Sequence, residues 1–299
     1  MSRKPEILVI FNPISGDINK KPILNDIALE AEIKGFNLKK YKTTGNNDLD
    51  KIKNILNDTS FKHVIVVGGD GTLQLAANAI MERNLPLGII PAGSSNGFAS
   101  NLNLPTQLSA QIAVTFGNHS IDVDMLSVNG DLCLHISDIG VNAVLIKNYE
   151  DSRIRGKLGY ALQTLPSLVK SDYPYQFEIT INNKKFTKEG IMLAIANAKQ
   201  FGTGATINPD GELNDGQFEI LVFKKMDVIQ ILQTLKNTPR MDKDFVECFS
   251  ADKAKITIPK PIEFQIDGEY LGKVSDLDVK ILPEKLKVLV NGNKMKYLT

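Results

Sequence analysis

The 299-residue chain has no tryptophan, two cysteines and three histidines. Cys133 and Cys248 lie far apart and form no CxxC pair, and His63, His119 and His135 show no ligand spacing. Neither a zinc site nor a disulfide framework is therefore expected. Charge of one sign is also missing: 35 basic against 34 acidic residues leave a formal charge of +1. Without a broad basic field, no nucleic-acid partner is expected. No apolar run reaches the roughly 18 residues of a membrane span, and the run inside "MSRKPEILVIFNP" is too short for a signal peptide. A cytoplasmic protein with at most peripheral, transient membrane contact is the expectation. The length and the 42% hydrophobic content suffice for two cores.

Along the chain the texture changes once. From Glu6 to about Phe116, short β-branched runs ("EILVIF", "HVIVV", "LPLGII") alternate with helical patterns ("PILNDIALEAEIKG", "TLQLAANAIM", "TQLSAQIAVTF"). That alternation predicts a doubly wound α/β domain with a parallel sheet. Beyond Asp122 the segments alternate like strands, among them "LCLHISDI", "YQFEITINNKKF", "GIMLAIANA", "GQFEILVF", "AKITI" and "IEFQI", separated by Asn-Asn, Asp-Gly and Pro turns. An antiparallel β domain is predicted there. Two helical patterns interrupt it, "KLGYALQTLPSLVK" with its Pro166, and "MDVIQILQTLKN".

The turns of the first half carry the chemistry. Gly68-Gly69-Asp70-Gly71-Thr72 joins a strand to a helix marked by Leu73, Ala76, Ala77 and Ile80 at helical spacing. Such a junction offers backbone N–H groups at the positive end of a helix, and glycine lets a phosphate come close. Asp70 would repel a bare phosphate, so it points to a metal-nucleotide complex; a plain Asp-Gly turn is the competing reading. Asn12 to Gly16 ("NPISG") and Pro91 to Ala99 ("PAGSSNGFA") end two further strands, which places all three turns where open parallel sheets bind ligands. No G-x-G-x-x-G or G-x-x-x-x-G-K-[ST] stretch is present, so the phosphate cradle is of another kind.

The order NPxxG, GGDGT, P-x-G-[ST]-x-N and a late DGE resembles the diacylglycerol kinase catalytic family, which includes bacterial lipid kinases and sphingosine and ceramide kinases. The resemblance spans nearly the whole chain; GGDGT alone is shared with NAD kinases. It implies a nucleotide-binding α/β domain over 1–122, to which 285–299 ("LKVLV" and beyond) returns, and a β-sandwich-like lipid-substrate domain over 123–284. It further implies a cleft between them where ATP, with Mg2+, would phosphorylate a lipid hydroxyl at a membrane surface. The resemblance places Gly68, Gly69, Asp70, Gly71 and Thr72 on the ATP phosphates, and Asn12, Gly93, Ser94, Ser95 and Asn96 along the nucleotide. Lys157 matches a basic position near the phosphates. Asp267 corresponds to the general base, with Glu269 beside it, and Asp70, Asp124 and Asp215 belong to magnesium-linked positions. From the residues alone, Asp124 reads equally as a surface strand residue, Asp215 and Asp267 as Asp-Gly hairpin turns, and Arg153, Arg155 and Lys157 as a solvated charged face.

One departure bears on the substrate. Bacterial diacylglycerol kinases usually read P-x-G-T-x-N-D, whereas here Ser94 replaces the threonine and Gly97 the aspartate. Sphingosine-kinase-like members also have serine and lack that aspartate, so sphingoid bases join diacylglycerol as expected acceptors. A soluble NAD kinase and a non-catalytic nucleotide- or lipid-binding relative are the alternatives, and a homodimer is left open.

Overall fold

The structure is a computed structural model that describes residues 4–150, 174–200, 205–227, 230, 233–234 and 241–292. The pattern "KLGYALQTLPSLVK", together with Arg153, Arg155 and Lys157, lies outside the described residues, as does most of "MDVIQILQTLKN". Two compact units are formed, Met1–Val123 with Pro283–Thr299, and Asp124–Leu282.

In the first unit, β1 (Glu6–Phe11) leads through α1 (Lys20–Ile33) to β2 (Asn37–Lys42), α2 (Asp48–Asp58), β3 (Phe61–Gly68), α3 (Asp70–Ile80), β4 (Leu87–Pro91), α4 (Gly97–Asn101) and α5 (Leu108–Thr115). The strands pair in parallel in the order β2-β1-β3-β4, and Val288 adds a further parallel partner beside Leu87. Because side chains alternate along a strand, Ile7, Val9, Ile65, Val67 and Ile90 share one face and pack under Ile23 and Ile27 of α1 and Ile112 of α5. Leu8, Ile10, Val64 and Val66 are equally buried on the opposite face, the side of α3, which packs on β3 and α2. Both faces of the sheet are thus covered, which is why its central strands read as unbroken β-branched runs. The β2–α2 pair has no such signature. "NLKKYK" lies at the end of the strand order with Asn37, Lys40 and Lys42 exposed and none of its residues buried, and α2 buries only Asp48, Ile52 and Leu56.

The chain passes into the second unit along β5 (Ser120–Val128), followed by β6 (Asp131–Cys133), β7 (Ile136–Gly140), α6 (Val141–Glu150), β8 (Tyr175–Ile181), β9 (Lys184–Gly190), β10 (Met192–Ala196), β11 (Phe218–Phe223), β12 (Val246–Ala251), β13 (Lys253–Ile266) and β14 (Glu269–Leu289). Antiparallel pairing runs β12-β11-β10-β7-β13-β14, with β8 adding to β13 and β9 to β8. Ile139, Phe177, Leu193, Ile195 and Phe264 lie in one core packed from several strands, the interior of a β-sandwich-like unit. The Asn182-Asn183 turn has both φ values positive, 50° and 63°, as a two-residue hairpin requires.

Two predicted boundaries differ. "AKITI" and "IEFQI" belong to one strand, β13, whose register on β14 shifts between Thr257 and Ile262. Pro259 and Pro261 occupy that irregular stretch, where a missing N–H breaks no ladder bond. "LCLHISDI" is two strands, because the N–H groups of Leu134, His135 and Ile136 turn to the carboxylate of Asp267.

Candidate active site

Because β1, β3 and β4 are parallel neighbours, their carboxyl ends bring the three turns of the first unit to one sheet edge. The turns are stitched backbone to backbone. The N–H of Ala92 donates to Gly68 O at 2.8 Å, and that of Asn12 to Val67 O at 3.2 Å. The approach is so close that a Cβ on Gly93 would lie 2.3 Å from the Cα of Gly69, and one on Gly16 would lie 2.7 Å from Ala92 O. Gly16 also has φ +63°, in the left-handed region. These glycines are required by packing between turns as well as by access for a guest.

Side chains complete the stitching. Asn12 Oδ1 accepts the Ile14 N–H at 3.0 Å, and Ser15 Oγ donates to Ala92 O at 3.1 Å. Asn96, at φ 54°, folds back so that Oδ1 accepts the Gly93 N–H at 2.8 Å while Nδ2 donates to Gly93 O at 3.0 Å. Asp70 answers the puzzle of an acid in a glycine turn: Oδ2 accepts the N–H of Gly97 at 2.9 Å and Oδ1 that of Phe98 at 3.1 Å. Its carboxylate caps α4, whose own N-cap residue makes no side-chain cap bond, and so ties the GGDGT turn to the PAGSSNG turn. Thr72 is buried, whereas Gly71, Ser94 and Ser95 are exposed. The first turn of α3, with Gly69 as its N-cap, presents an exposed backbone able to receive phosphate oxygens.

Sequence reading missed Lys20. It is 4% exposed, and its ammonium donates to the carbonyls of Ser15, of Ile18 at 3.1 Å and of Ala92 at 2.9 Å. The available signal was the position, since a lysine at a helix N-terminus opposes the helix dipole unless acceptors hold it.

In the second unit Asp267 and Gly268, at φ 49° and 91°, form the two-residue turn between Ile266 and Glu269. The turn residue is half-buried, and its carboxylate accepts three backbone N–H groups, Leu134 at 2.8 Å, His135 at 2.9 Å and Ile136 at 3.0 Å. Being a turn residue and holding a structured carboxylate are therefore not alternatives here. Burial raises the Asp267 carboxyl above the usual range, against the opposing pull of His135 and the three N–H donors. The Cys133 thiol lies 3.6 Å from Oδ1, and burial together with that carboxylate pushes it up, so it stays protonated. Glu269 is exposed, two residues along the same hairpin.

The surface reading of Asp124 does not hold. The residue is fully buried, its Oδ2 accepts the Gly216 N–H at 2.7 Å, and its carbonyl accepts Asn197 Nδ2 at 2.8 Å. Asp215 is exposed, one residue before Gly216 in the turn that Asp124 holds, and accepts the Gln217 N–H at 2.9 Å. Asn197 Nδ2 also donates to Leu134 O at 2.9 Å, so one amide links Asp124 to the segment that grips Asp267. Among the described residues no group of three His, Cys, Asp or Glu side chains is disposed to hold a metal ion. Magnesium needs few protein carboxylates when it keeps waters and phosphate oxygens. Each Asp70 oxygen accepts one N–H and retains a further lone pair, which fits a cation arriving with a nucleotide.

The fold recurs in solved structures. A diacylglycerol kinase structure from Bacillus anthracis matches with TM-score 0.72 at 19% identity, covering 98% of this chain and 99% of that one. An NAD kinase from Archaeoglobus fulgidus in complex with ATP matches with TM-score 0.59 at 11% identity, covering 98% and 96%. Both matches show a shared fold along nearly the whole chain. Residues 6–128 match the diacylglycerol kinase catalytic domain, and residues 136–290 match the YegS C-terminal NAD kinase beta sandwich-like domain. The chain belongs to the diacylglycerol kinase catalytic family and is a lipid kinase, a phosphotransferase. A Bacillus subtilis diacylglycerol kinase is 26% identical over 275 residues, 88% of this chain and 89% of the relative. A probable lipid kinase YegS from Shigella dysenteriae is 26% identical over 295 residues, 96% of each.

Proposed function

We propose that the enzyme transfers the γ-phosphate of ATP to the hydroxyl of a diacylglycerol or a sphingoid-type lipid. The first unit holds the nucleotide and the second carries the lipid and the base. The observation that carries this reading is the stitched set of turns at the carboxyl ends of β1, β3 and β4. Glycine backbone there approaches too closely for side chains, beside the exposed N-terminus of α3. That surface suits a polyphosphate.

Gly68 to Thr72 bind the phosphates through backbone N–H groups, and Asn12, Gly93, Ser94, Ser95 and Asn96 line the nucleotide. Asp70 would hold magnesium arriving with ATP, which would neutralise the phosphate oxygens; within the second unit Asp124 fixes the turn that carries Asp215. Lys157 adds a cation near the phosphates. Asp267 aims the acceptor hydroxyl and takes its proton as the lipid O–P bond forms and the bridging P–O bond to ADP breaks, with Glu269 beside it. A carboxylate whose proton affinity is raised by burial is better fitted to accept that proton than an ordinary one. No helix among the described residues is long and apolar enough to cross a membrane, and the enzyme meets its lipid transiently at the surface.

Release of ADP in response to extracted lipids, with NAD as the alternative acceptor, tests the reading. Stimulation by lipid and none by NAD supports it. Stimulation by NAD alone replaces it with an NAD kinase-like activity.

A further inference from the structure

Asp138 is a buried acid that the proposed reaction leaves unused. It lies at the centre of β7, fully buried, opposite Gln265 of β13 on one side and Ala194 of β10 on the other. Both amide nitrogens near it converge on one oxygen: Gln265 Nε2 reaches Oδ2 at 2.5 Å and Asn142 Nδ2 reaches it at 2.6 Å. Oδ1 meets no side-chain donor among the described residues, and the Ala143 N–H faces the carboxyl without the geometry of a full hydrogen bond to Oδ1.

The orientation of the Gln265 amide is set at its other end. Its Oε1 accepts the Gly268 N–H at 2.8 Å, and a flipped amide would turn NH2 against that donor. The amide nitrogen must then face Asp138, where only an acceptor can satisfy it. Gln265 is itself 1% exposed, and its carbonyl is held by Ser137 Oγ at 2.8 Å. A continuous path therefore runs from Asp138 through Gln265 to Gly268, the second residue of the turn whose first residue is Asp267.

We propose that Asp138 is a positioning residue for phosphoryl transfer, locking the Gln265 amide and through it the turn that carries Asp267. This rests on the reading of Asp267 as the base. The charged groups on the packed elements are otherwise engaged. Glu263 of β13 pairs with Lys147 of α6 at 3.0 Å and accepts from Tyr270 at 2.6 Å, and Asp267 is held by backbone N–H groups. β10 contributes only apolar residues, and Cys133 stays protonated. Burial, opposed by the Asn142 and Gln265 amides and by the Ala143 N–H, pushes the Asp138 carboxyl up to about 7. A neutral acid there still offers Oδ2 to both amides, so the lock needs the acceptor oxygen and not the charge.

The test compares kcat and KM of Asp138→Asn, Asp138→Leu, Gln265→Met and the Asp138→Leu/Gln265→Met double variant, with the lipid that the parent enzyme phosphorylates. Asparagine can present its carbonyl oxygen to both amides, so kcat should stay within about threefold of the parent. Asp138→Leu removes the acceptor and should lower kcat roughly 10- to 100-fold, the scale of a misplaced reacting group, with KM for ATP unchanged. The double variant should lose no more than either single change, because both act through one path. Should Asp138→Leu fail to fold, Gln265→Met beside Asp138→Asn carries the comparison. Parental kcat in Asp138→Leu and Gln265→Met, or additive losses in the double variant, would overturn the inference. Asp267→Ala, assayed alongside, separates the failures. A loss at Asp267 with none at Asp138 or Gln265 overturns the path alone, whereas parental kcat in Asp267→Ala overturns the base assignment and the path with it.

Discussion

Replacing Asp70 by asparagine exchanges one oxygen for an amide nitrogen and should be felt in both stability and turnover. In the parent, each carboxylate oxygen accepts one backbone N–H from the start of α4, Gly97 at 2.9 Å and Phe98 at 3.1 Å. Asparagine retains one acceptor and turns its NH2 toward the other donor. A hydrogen bond to a charged group contributes about 1.5–3 kcal/mol, and leaving a buried donor unsatisfied costs about 1–3 kcal/mol. Asp70 is half-buried, so the lower part of these ranges applies and the expected loss is about 2 kcal/mol. For a chain of this size that lowers Tm by roughly 3 °C. Melting followed by circular dichroism, with turnover measured well below the transition at saturating ATP and magnesium, reads the two effects separately. We expect a lowered Tm and loss of most of the turnover. An unchanged Tm would refute the capping role, and parental turnover at saturating magnesium would refute the nucleotide role.

Asp267→Asn is expected to lower kcat roughly 10²- to 10⁴-fold, the range for a lost general base. It should also lower Tm by several degrees, because its NH2 meets a cluster of three N–H donors; parental values of both would reduce Asp267 to an ordinary turn residue. Gly93→Ala puts a methyl group 2.3 Å from the Gly69 Cα, so the two turns must part, and ATP should no longer raise the melting temperature. An unaltered nucleotide-induced shift in that variant would contradict the stitched arrangement. Asp138 has its folded pKa raised to about 7 from an ordinary 3.8, so the folded state holds the proton more tightly. Its contribution to stability is lost as pH rises from about 4 to about 7, by at most about 4 kcal/mol, and is level beyond. Asp138→Asn cannot titrate and should gain on the parent across that window in denaturant midpoints taken at pH 5 and pH 8; a difference independent of pH would count against the shift.

What could be read from the sequence follows the range of the interactions. The parallel strands showed themselves because both faces of "EILVIF" and "HVIVV" are buried, and α3 because Leu73, Ala76, Ala77 and Ile80 repeat at helical spacing. The Asn182-Asn183 hairpin is local chemistry and was equally visible. The edge strand β2, half exposed and lysine-bearing, carries too weak a pattern. For the site, residue types and turn positions were legible but their partners were not. Asp70 meets N–H groups 27 and 28 positions away, and Asp267 meets groups more than 130 positions away. Asp124 reads equally as a magnesium-linked position and as a strand residue open to solvent, and the fold buries it against the turn at Gly216. Lys20 and Gln265 are held by backbone groups brought in from distant or neighbouring turns, and no spacing rule announces them.

The central claim is that phosphate passes from ATP to a lipid hydroxyl. The most direct measurement is transfer of label from γ-labelled ATP to diacylglycerols, monoacylglycerols and sphingoid bases presented in mixed micelles with magnesium, resolved by chromatography of the extracted lipids. The account predicts labelled lipid phosphate from at least one diacylglycerol or sphingoid base, dependent on magnesium and lost in Asp267→Ala. Label in no lipid of the panel, with label appearing in NAD when that is supplied instead, would contradict it.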